Sequence, residues 1–438
     1  MNRHYGRIAR RAKARSTIVG IVADRVARTL QGRWVTVPHL IGCKSVRRSQ
    51  NIAVENYGRL VHRRTALKLS LLLTAGAAIT TVPRASAAAG VWSADRANRW
   101  YQAQGWLVGA NFITSNAVNQ LEMFQPTTYD PRTINAELGA ARLIGFNTVR
   151  VFLHDLLWVQ DRQGFQRRLA QFVAIAASQG IKPLFVFFDS CWDPRPALGP
   201  QRPPTPGVHN SGWVQSPGAQ RLGDPQYIRT MYEYVTGVMS QFRGDERVLG
   251  WDLWNEPDNP ANDYRKVERK DKLTLVEALL PQVFQWARAV NPIQPVTSGV
   301  WQGAWRDAAS RSAIADIQLA NSDVITFHSY AKPDEFEARI DELAPWGRPI
   351  LCTEYLARPQ GSTIEGILPI AKRRNVGAYN WGIVAGKTQT YLPWDSWDHP
   401  YSAPPKLWFH DLLQPDGRAY RLEEIQSIQR LTGAVSQP

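Results

Sequence analysis

Short apolar runs and longer amphipathic stretches alternate along the chain from about residue 106 onward. The apolar runs are rich in Val, Ile, Leu and Phe, which is typical of strands buried on both faces of a parallel sheet. They predict eight strands, at residues 107–112, 147–153, 182–188, 248–255, 295–301, 324–330, 349–355 and 377–384. The stretches between them repeat their apolar positions every three to four residues, which is the period of a helix packed on one face. They predict helices at residues 132–144, 165–179, 225–242, 272–290, 311–317, 335–343, 364–374 and 420–431.

Eight strands that alternate with helices over some 330 residues predict an α/β fold, the (β/α)8 TIM barrel. An open doubly wound sheet is the alternative, but no Gly-x-Gly-x-x-Gly motif follows the first strand. The sequence shows neither a low-complexity linker nor a break in the pattern after residue 87. We therefore predict one catalytic barrel domain over residues 88–438.

A Pro- and Gly-rich segment, residues 193–224, connects the third predicted strand to its helix. In a barrel this segment lies on the face that carries the active site. We interpret it as a loop that shapes the substrate site. If it blocks one end of a cleft, it favours cleavage at chain ends.

The positive charge of the chain is concentrated in its first 87 residues. The whole chain has a net charge of +15, from 52 Lys and Arg against 37 Asp and Glu. Residues 1–87 hold 17 basic and 2 acidic residues, which leaves 52 − 17 = 35 basic and 37 − 2 = 35 acidic residues in the remainder. A neutral body argues against binding to a phosphate backbone, so we predict no nucleic-acid partner.

The basic N-terminal segment has the pattern of an export signal. Arg63 and Arg64 precede an apolar run over residues 69–79, and Ala85-Ser86-Ala87 offers a cleavage site of small residues. The run is too short for a stable membrane anchor. The paired arginines, with Leu67 and Lys68, favour a twin-arginine signal over an ordinary secretory signal. We predict bacterial export to the periplasm or the medium. Residues 1–55 exceed what such a signal needs, and are either an extension or the result of a misplaced start.

Cysteine and histidine spacing gives no indication of a metal. Only Cys191 and Cys352 follow the signal segment, and two free thiols are favoured over a disulfide between them. The sequence contains no Cys-x-x-Cys and no pair of histidines at ligand spacing. We expect no metal and no cofactor.

Two glutamates stand at the ends of predicted strands. Asn255-Glu256-Pro257 ends the fourth strand, and Glu354 ends the seventh, 354 − 256 = 98 residues later. The C-terminal ends of barrel strands form the catalytic face, and strands four and seven lie across its mouth from each other. Two carboxyl groups that converge there are the apparatus of glycoside hydrolysis, although each alone could be a structural carboxylate.

Over residues of about 106–433 the chain resembles the clan of (β/α)8 retaining glycoside hydrolases, closest to the cellulases and mannanases of family 5. The resemblance implies that Glu256 is the acid/base and that Glu354 is the nucleophile. It also implies that Asn255 forms a hydrogen bond with the sugar 2-hydroxyl. It further implies that Arg150 on strand two keeps the nucleophile ionised. The remaining positions that match the clan are a His-x-Tyr on strand six and an aromatic platform on strand eight, namely His328, Tyr330 and Trp381.

The third strand departs from the cellulase pattern. Where those enzymes often carry a histidine, this chain reads Phe188-Asp189-Ser190-Cys191-Trp192. Asp189 and Trp192 are the candidate substrate-binding residues at this point. Further tryptophans follow strand ends and suit a carbohydrate cleft, because indole faces stack on pyranose rings; they are Trp213, Trp301, Trp305, Trp394 and Trp397.

The sequence therefore predicts an exported, monomeric, retaining β-glycoside hydrolase that acts on a β-linked oligo- or polysaccharide. The alternatives are a transglycosylase that uses the same residues and a catalytically silent barrel that binds carbohydrate. The identity of the sugar and the choice between internal and terminal cleavage stay open.

Overall fold

The computed structural model describes residues 90–434, which form eight β-strands and eleven α-helices. The predicted signal, with Arg63, Arg64 and the site at Ala85-Ser86-Ala87, lies outside the described residues. The strands are β1 Val108–Asn111, β2 Thr148–Phe152, β3 Lys182–Asp189, β4 Gly250–Asn255, β5 Val296–Thr297, β6 Ile325–His328, β7 Ile350–Tyr355 and β8 Gly377–Trp381.

The eight strands form one parallel sheet in the order β5-β4-β3-β2-β1-β8-β7-β6. The two outer strands meet at a parallel bridge between Val300 and Phe327, which closes the sheet into a barrel. Apart from Lys182 and Trp381, which are partly buried at the two ends of the barrel, every strand residue is buried. The predicted (β/α)8 fold is confirmed.

Most of the helices surround the sheet. They are α1 Ala94–Gln104, α2 Gln120–Phe124, α3 Pro131–Ile144, α4 Asp155–Ser178, α5 Ala219–Leu222, α6 Ile228–Phe242, α7 Lys272–Ala289, α8 Ala313–Asn321, α9 Pro333–Leu343, α10 Ile364–Arg373 and α11 Leu422–Thr432. None of the helices within residues 90–434 is both long and apolar enough to cross a membrane.

Two of the predicted elements, α4 and β5, differ most from the structure, and α1, α2 and α5 were not predicted. The helix α4 begins ten residues earlier than predicted, at Asp155, and is interrupted at Asp161 (φ −159°, ψ 76°). The side chain of Asp161 accepts a hydrogen bond from the backbone of Gly164 and so caps the second part, which is the part that the apolar period reveals.

Strand β5 has two residues instead of the predicted seven. Its backbone leaves the ladder because Gln318 of α8 donates to the carbonyl of Gly299 and Ser322 accepts from the amide of Ser298. Tertiary hydrogen bonds to a helix thus replace strand pairing at these two residues.

The N-terminal end of the barrel is closed by α1, which the sequence pattern did not predict. Tyr101 of this helix packs in a buried cluster with Leu107, Leu184 and Tyr379 at the bottom of the barrel. The opposite end, where the strands terminate, is lined by polar side chains. Glu256 and Glu354 both lie at this end.

Candidate active site

Glu256 and Glu354 converge in the mouth of the barrel. Glu354 lies in β7, and Glu256 follows the last residue of β4 with a φ of 41°. A positive φ is unfavourable for a glutamate, and such conformations concentrate at functional sites. Their side chains are 10% and 5% exposed for Glu256 and Glu354 respectively, and one oxygen of each lies within 4.8 Å of the other.

The guanidinium of Arg150 organises the floor of the site. Its Nη1 donates to Oε1 of Glu354 at 2.8 Å and its Nη2 to Oδ1 of Asn255 at 2.7 Å. The same Nη2 forms an ion pair with Oδ2 of Asp252 at 2.8 Å. Burial acts to lower the pKa of Arg150, but Asp252 and Glu354 hold it above the ordinary value. The guanidinium is therefore a fixed positive charge in contact with Glu354.

Glu354 receives a second donor from the end of β6. The hydroxyl of Tyr330 donates to its Oε2 at 2.8 Å. Burial raises the pKa of Glu354 above 4.5, while Arg150 and the hydrogen bond from Tyr330 act in the opposite direction. Both oxygens of Glu354 are thus held in position, one of them by a cation, which favours the ionised form.

Glu256 contacts a different set of groups. Its Oε2 accepts hydrogen bonds from Nδ2 of Asn259 at 2.7 Å and from Sγ of Cys191 at 3.2 Å. Burial raises the pKa of Glu256, and these two hydrogen bonds oppose the shift. Because both donors are neutral, Glu256 retains a proton more readily than a carboxyl group bonded to a guanidinium.

His328 lies between the two carboxyl groups. Its Nδ1 is 2.8 Å from Oε1 of Glu256 and its Nε2 is 3.6 Å from Oε1 of Glu354. Burial lowers the pKa of His328 to about 4, so the imidazole is neutral near pH 7. It therefore spaces and orients the two glutamates without adding a charge.

Asn255 is held at both ends of its amide. Its Oδ1 accepts from Arg150, and its Nδ2 donates to Oδ1 of Asp189 at 2.9 Å. Asp189 accepts a further bond from Nε1 of Trp213 at 2.7 Å. Asp189 is buried, and in this arrangement it orients Asn255 and Trp213.

Two of the predicted tryptophans, Trp381 and Trp192, lie in different surroundings. Trp381, at the end of β8, is partly exposed and meets Phe152 and Trp213 edge to face, with ring centroids 5.7 and 6.0 Å away. Trp192 is stacked on Trp397, with centroids 5.2 Å apart and an interplanar angle of 12°. Trp381 therefore presents a free surface to the mouth, whereas one face of Trp192 is already covered.

Four residues of the site did not emerge from the sequence. Asn111 accepts a bond from Arg150 at 2.9 Å, and Asp252 pairs with the same guanidinium. Both are polar residues within apolar strands, and that contrast is a signal that could have revealed them. Cys191 and Asn259 reach Glu256 through the conformation of the loops, for which the sequence gives no signal.

Three side chains of this site offer the type of donor that binds metals. One ligand atom each from Glu256, His328 and Glu354 lie within 4.8 Å of one another. However, the guanidinium of Arg150 already occupies Oε1 of Glu354, and a second positive charge beside it is unfavourable. The arrangement is better suited to proton transfer and nucleophilic attack than to holding a cation. Cys191 and Cys352 are buried free thiols, as predicted.

No protein-family model matches this chain, and no curated protein sequence matches it. The chain is similar in structure to GH5_18 of Streptomyces cattleya in complex with GlcNAc, with a TM-score of 0.50, 14% identity, and coverage of 76% of this chain and 82% of that chain. A β-1,4-D-mannanase of Cryptopygus antarcticus has a TM-score of 0.50 and 11% identity, and the match covers 76% of this chain and 94% of that chain. An exo-β-1,4-mannosidase of Opitutaceae bacterium strain TAV5 has a TM-score of 0.50 and 18% identity; the match covers 76% of this chain and 60% of that chain. At these identities the likeness shows that the chain has the barrel fold of these proteins.

Proposed function

We propose that this protein is a β-glycoside hydrolase that acts with retention of the anomeric configuration. The observation that carries the proposal is the approach of Glu256 and Glu354, whose nearest oxygens lie within 4.8 Å. Retaining glycosidases place their two carboxyl groups about 5–5.5 Å apart, whereas inverting enzymes leave about 6.5–9.5 Å for a water molecule. The space between these two glutamates suits direct attack on the sugar.

In the first step, a carboxylate oxygen of Glu354 attacks the anomeric carbon and the bond from that carbon to the leaving oxygen breaks. Glu256 transfers its proton to the leaving oxygen, so that a neutral alcohol departs. The product of this step is a glycosyl ester on Glu354. In the second step, water attacks the same carbon, Glu256 takes a proton from the water, and the ester bond to Glu354 breaks.

The surroundings of the two glutamates support this division of roles. The nucleophile must be ionised, and Glu354 accepts a charged hydrogen bond from Arg150 at 2.8 Å. The acid must carry a proton, and the donors on Glu256 are the neutral groups of Asn259 and Cys191. Two carboxyl groups in such different surroundings can hold opposite protonation states at one pH.

Binding of the sugar ring falls to the groups that surround the two glutamates. Trp381 offers a partly exposed indole on the side of β8, where an apolar sugar face can stack. Asn255 carries two N–H groups on Nδ2, of which one donates to Asp189 and the other, 3.4 Å from Sγ of Cys191, is weakly engaged. The weakly engaged N–H is the donor we assign to the sugar 2-hydroxyl.

The experiment is to follow hydrolysis by proton NMR, with the mature protein from Ala88 and a panel of aryl β-glycosides and β-linked polysaccharides. The panel includes β-mannosides, because two of the similar structures are a β-mannanase and a β-mannosidase. A β-configured first product supports the proposal, and an α-configured product contradicts the role of Glu354. Transfer to an added sugar acceptor in preference to water would indicate the transglycosylase, and binding without any cleavage would indicate the silent barrel.

We also propose that the protein is exported through its N-terminal segment. The support is the sequence of that segment, in which Arg63 and Arg64 precede an apolar run and a small-residue site ends at Ala87. N-terminal sequencing of protein recovered outside the cytoplasm tests this. We expect the exported protein to begin at Ala88. We also expect export to be lost when Arg63 and Arg64 are both changed to lysine.

A further inference from the structure

The long loops after β3 and β8 are joined to each other. The β3 loop, residues 190–218, and the β8 loop, residues 382–421, are connected by hydrogen bonds between distant parts of the chain. The amide of Asn210 donates to the carbonyl of Thr388 at 2.8 Å, and the amide of His209 donates to Oγ of Ser396 at 2.9 Å. Gln389 donates from Nε2 to the carbonyls of Thr205 and Val208 at 2.8 and 3.1 Å. We call this joined structure the wall.

The centre of the wall is buried. His209, Leu392 and Ser396 are buried, and Nδ1 of His209 lies 2.7 Å from the carbonyl of Leu392. Burial lowers the pKa of His209 to about 4, so its ring is neutral over the ordinary range of pH. The stacked rings of Trp192 and Trp397 close the same seam. A seam of buried hydrogen bonds and stacked rings is a fixed boundary of the site.

The position of the wall follows from the order of the strands. In the sheet, β1 and β2 lie between β8 and β3. Because the β3 loop and the β8 loop are joined to each other, the wall extends over the ends of β1 and β2. The loop after β1 fills the same sector, since Asn119 donates to the carbonyl of Gly212 and Lys387 forms an ion pair with Glu122. On the side of the nucleophile, Trp394 of the wall meets Tyr330 with centroids 5.1 Å apart, and Tyr330 donates to Glu354.

On the side of the acid, the segment after β5 is largely exposed. Glu256 follows β4, and the segment after β5 comes next around the barrel. There Trp301 is partly exposed and donates from Nε1 to Asp258 at 2.5 Å, while residues 302–304 and 306–310 are exposed. This exposed edge is the side on which a leaving group that receives a proton from Glu256 can depart.

We propose that the site is a pocket for one sugar residue and that the protein removes single residues from the non-reducing end of its substrate. This inference rests on the proposed function. The sugar under attack lies over Glu354 and Trp381, with the wall behind it, and the rest of the chain leaves past Glu256. Further sugar residues on the non-reducing side would occupy the space that the joined β3 and β8 loops fill.

The first test uses the wild-type protein and β-linked tetrasaccharides of the sugar that the aryl glycosides identify, with their reducing ends converted to alditols. The monosaccharide and the trisaccharide alditol are expected to be the only initial products, in equal amounts, and a tetrasaccharide that carries a benzylidene group on its non-reducing sugar is expected to resist cleavage. Initial release of an unreduced disaccharide or an unreduced trisaccharide, or equal cleavage of the blocked compound, would contradict the inference but not the proposed hydrolase activity. If no aryl glycoside is cleaved, the proposed function itself fails.

The second test opens the wall. Trp397→Ala removes one half of the stack with Trp192. We expect the ratio of blocked to unblocked tetrasaccharide cleavage to rise at least about tenfold, which is the scale of discrimination that one small group produces in a binding pocket. Trp408→Ala is the matched control, because Trp408 belongs to the same loop but stacks on Tyr420 away from the seam, with centroids 4.2 Å apart. The same change of ratio in both variants would contradict the role of the wall.

Discussion

Arg150 and Glu354 are joined by a buried hydrogen-bonded ion pair, 2.8 Å from Nη1 to Oε1, between strands β2 and β7. The same guanidinium also holds Asp252, so one cation balances two buried carboxylates. Since Arg150 is fully buried, solvent cannot replace it in either role. It therefore serves both the stability of the barrel and the charge of the nucleophile.

Arg150→Met is expected to lower the free energy of unfolding by about 3–5 kcal/mol, because it leaves two carboxylates buried without their cation. Loss of the cation raises the pKa of Asp252 and of Glu354 in the folded state. A carboxyl group whose pKa is raised in the folded state stabilises the fold at low pH, and this contribution is lost as pH rises. The difference in free energy of unfolding between Arg150→Met and wild type should therefore shrink as pH falls.

Denaturant unfolding at several pH values measures this deficit. Arg247→Met is the control, since Arg247 is half exposed and pairs with Asp245 at the surface; it should change the stability by less than about 0.5 kcal/mol. An equal loss in both variants, or a deficit that grows as pH falls, would contradict the assignment. Arg150→Lys keeps the charge without the planar fork, and should recover stability only in part.

Glu354→Gln is expected to remove turnover by a factor of about 10⁴ or more, with the fold unchanged, because an amide cannot form the glycosyl ester. Glu256→Ala should behave differently. It should slow substrates with poor leaving groups much more than activated aryl glycosides, which depart without a proton. Steady-state kinetics on both substrate types separates the two roles, and an equal loss on both types for Glu256→Ala would reject its role as the acid.

Tyr330→Phe is expected to move the acidic limb of the pH profile of kcat/KM to higher pH. The hydroxyl of Tyr330 donates to Glu354 and lowers the pKa of that carboxyl, so its removal raises the pKa. Activity requires the ionised form and is lost as pH falls through this pKa, so the loss begins earlier in the variant. At the optimum we expect a fall in kcat/KM of one to two orders of magnitude, roughly the value of a hydrogen bond to a charged group.

The matched control for this variant is Tyr232→Phe, because Tyr232 is 44% exposed on α6 and lies outside the site. Its profile should coincide with that of wild type. If the acidic limb of Tyr330→Phe stays in place while the rate falls, Tyr330 acts on the position of the substrate rather than on the charge of Glu354.

Much of this molecule was predictable from its pattern of residues. Apolar runs of strand length reveal the barrel because a parallel sheet covered on both sides leaves little room for polar residues. Glu256 and Glu354 could be predicted because the C-terminal ends of such strands share one face. The brevity of β5 could not, since it depends on hydrogen bonds from Gln318 and Ser322, which lie some twenty residues along the chain.

The immediate surroundings of Glu256 were also beyond prediction. Its φ of 41° and the turn that follows direct its carboxyl group toward Cys191 and bring Asn259 back onto the same oxygen. Strand periodicity determines which residues face inward, but it does not describe loops. Cys191 and Asn259, which lower the pKa of Glu256, could therefore be identified only from the structure.

The thiol of Cys191 donates a hydrogen bond to Oε2 of Glu256 at 3.2 Å. This hydrogen bond lowers the pKa of Glu256, against the larger effect of burial, which raises it. Cys191→Ala removes the donor and should raise the pKa, whereas Cys191→Ser keeps a donor at the same place. Because the acid works only when protonated, the basic limb of kcat/KM should move to higher pH in the alanine variant alone.

The measurement is the pH profile on an aryl β-glycoside with a poor leaving group, so that the rate depends on the proton of Glu256. A substrate with a good leaving group serves as the internal control, since its first step does not need that proton. A shift that is equal in the alanine and serine variants would point to packing rather than to the hydrogen bond. An unchanged basic limb in Cys191→Ala would assign the adjustment of Glu256 to Asn259, whose amide donates to the same oxygen at 2.7 Å.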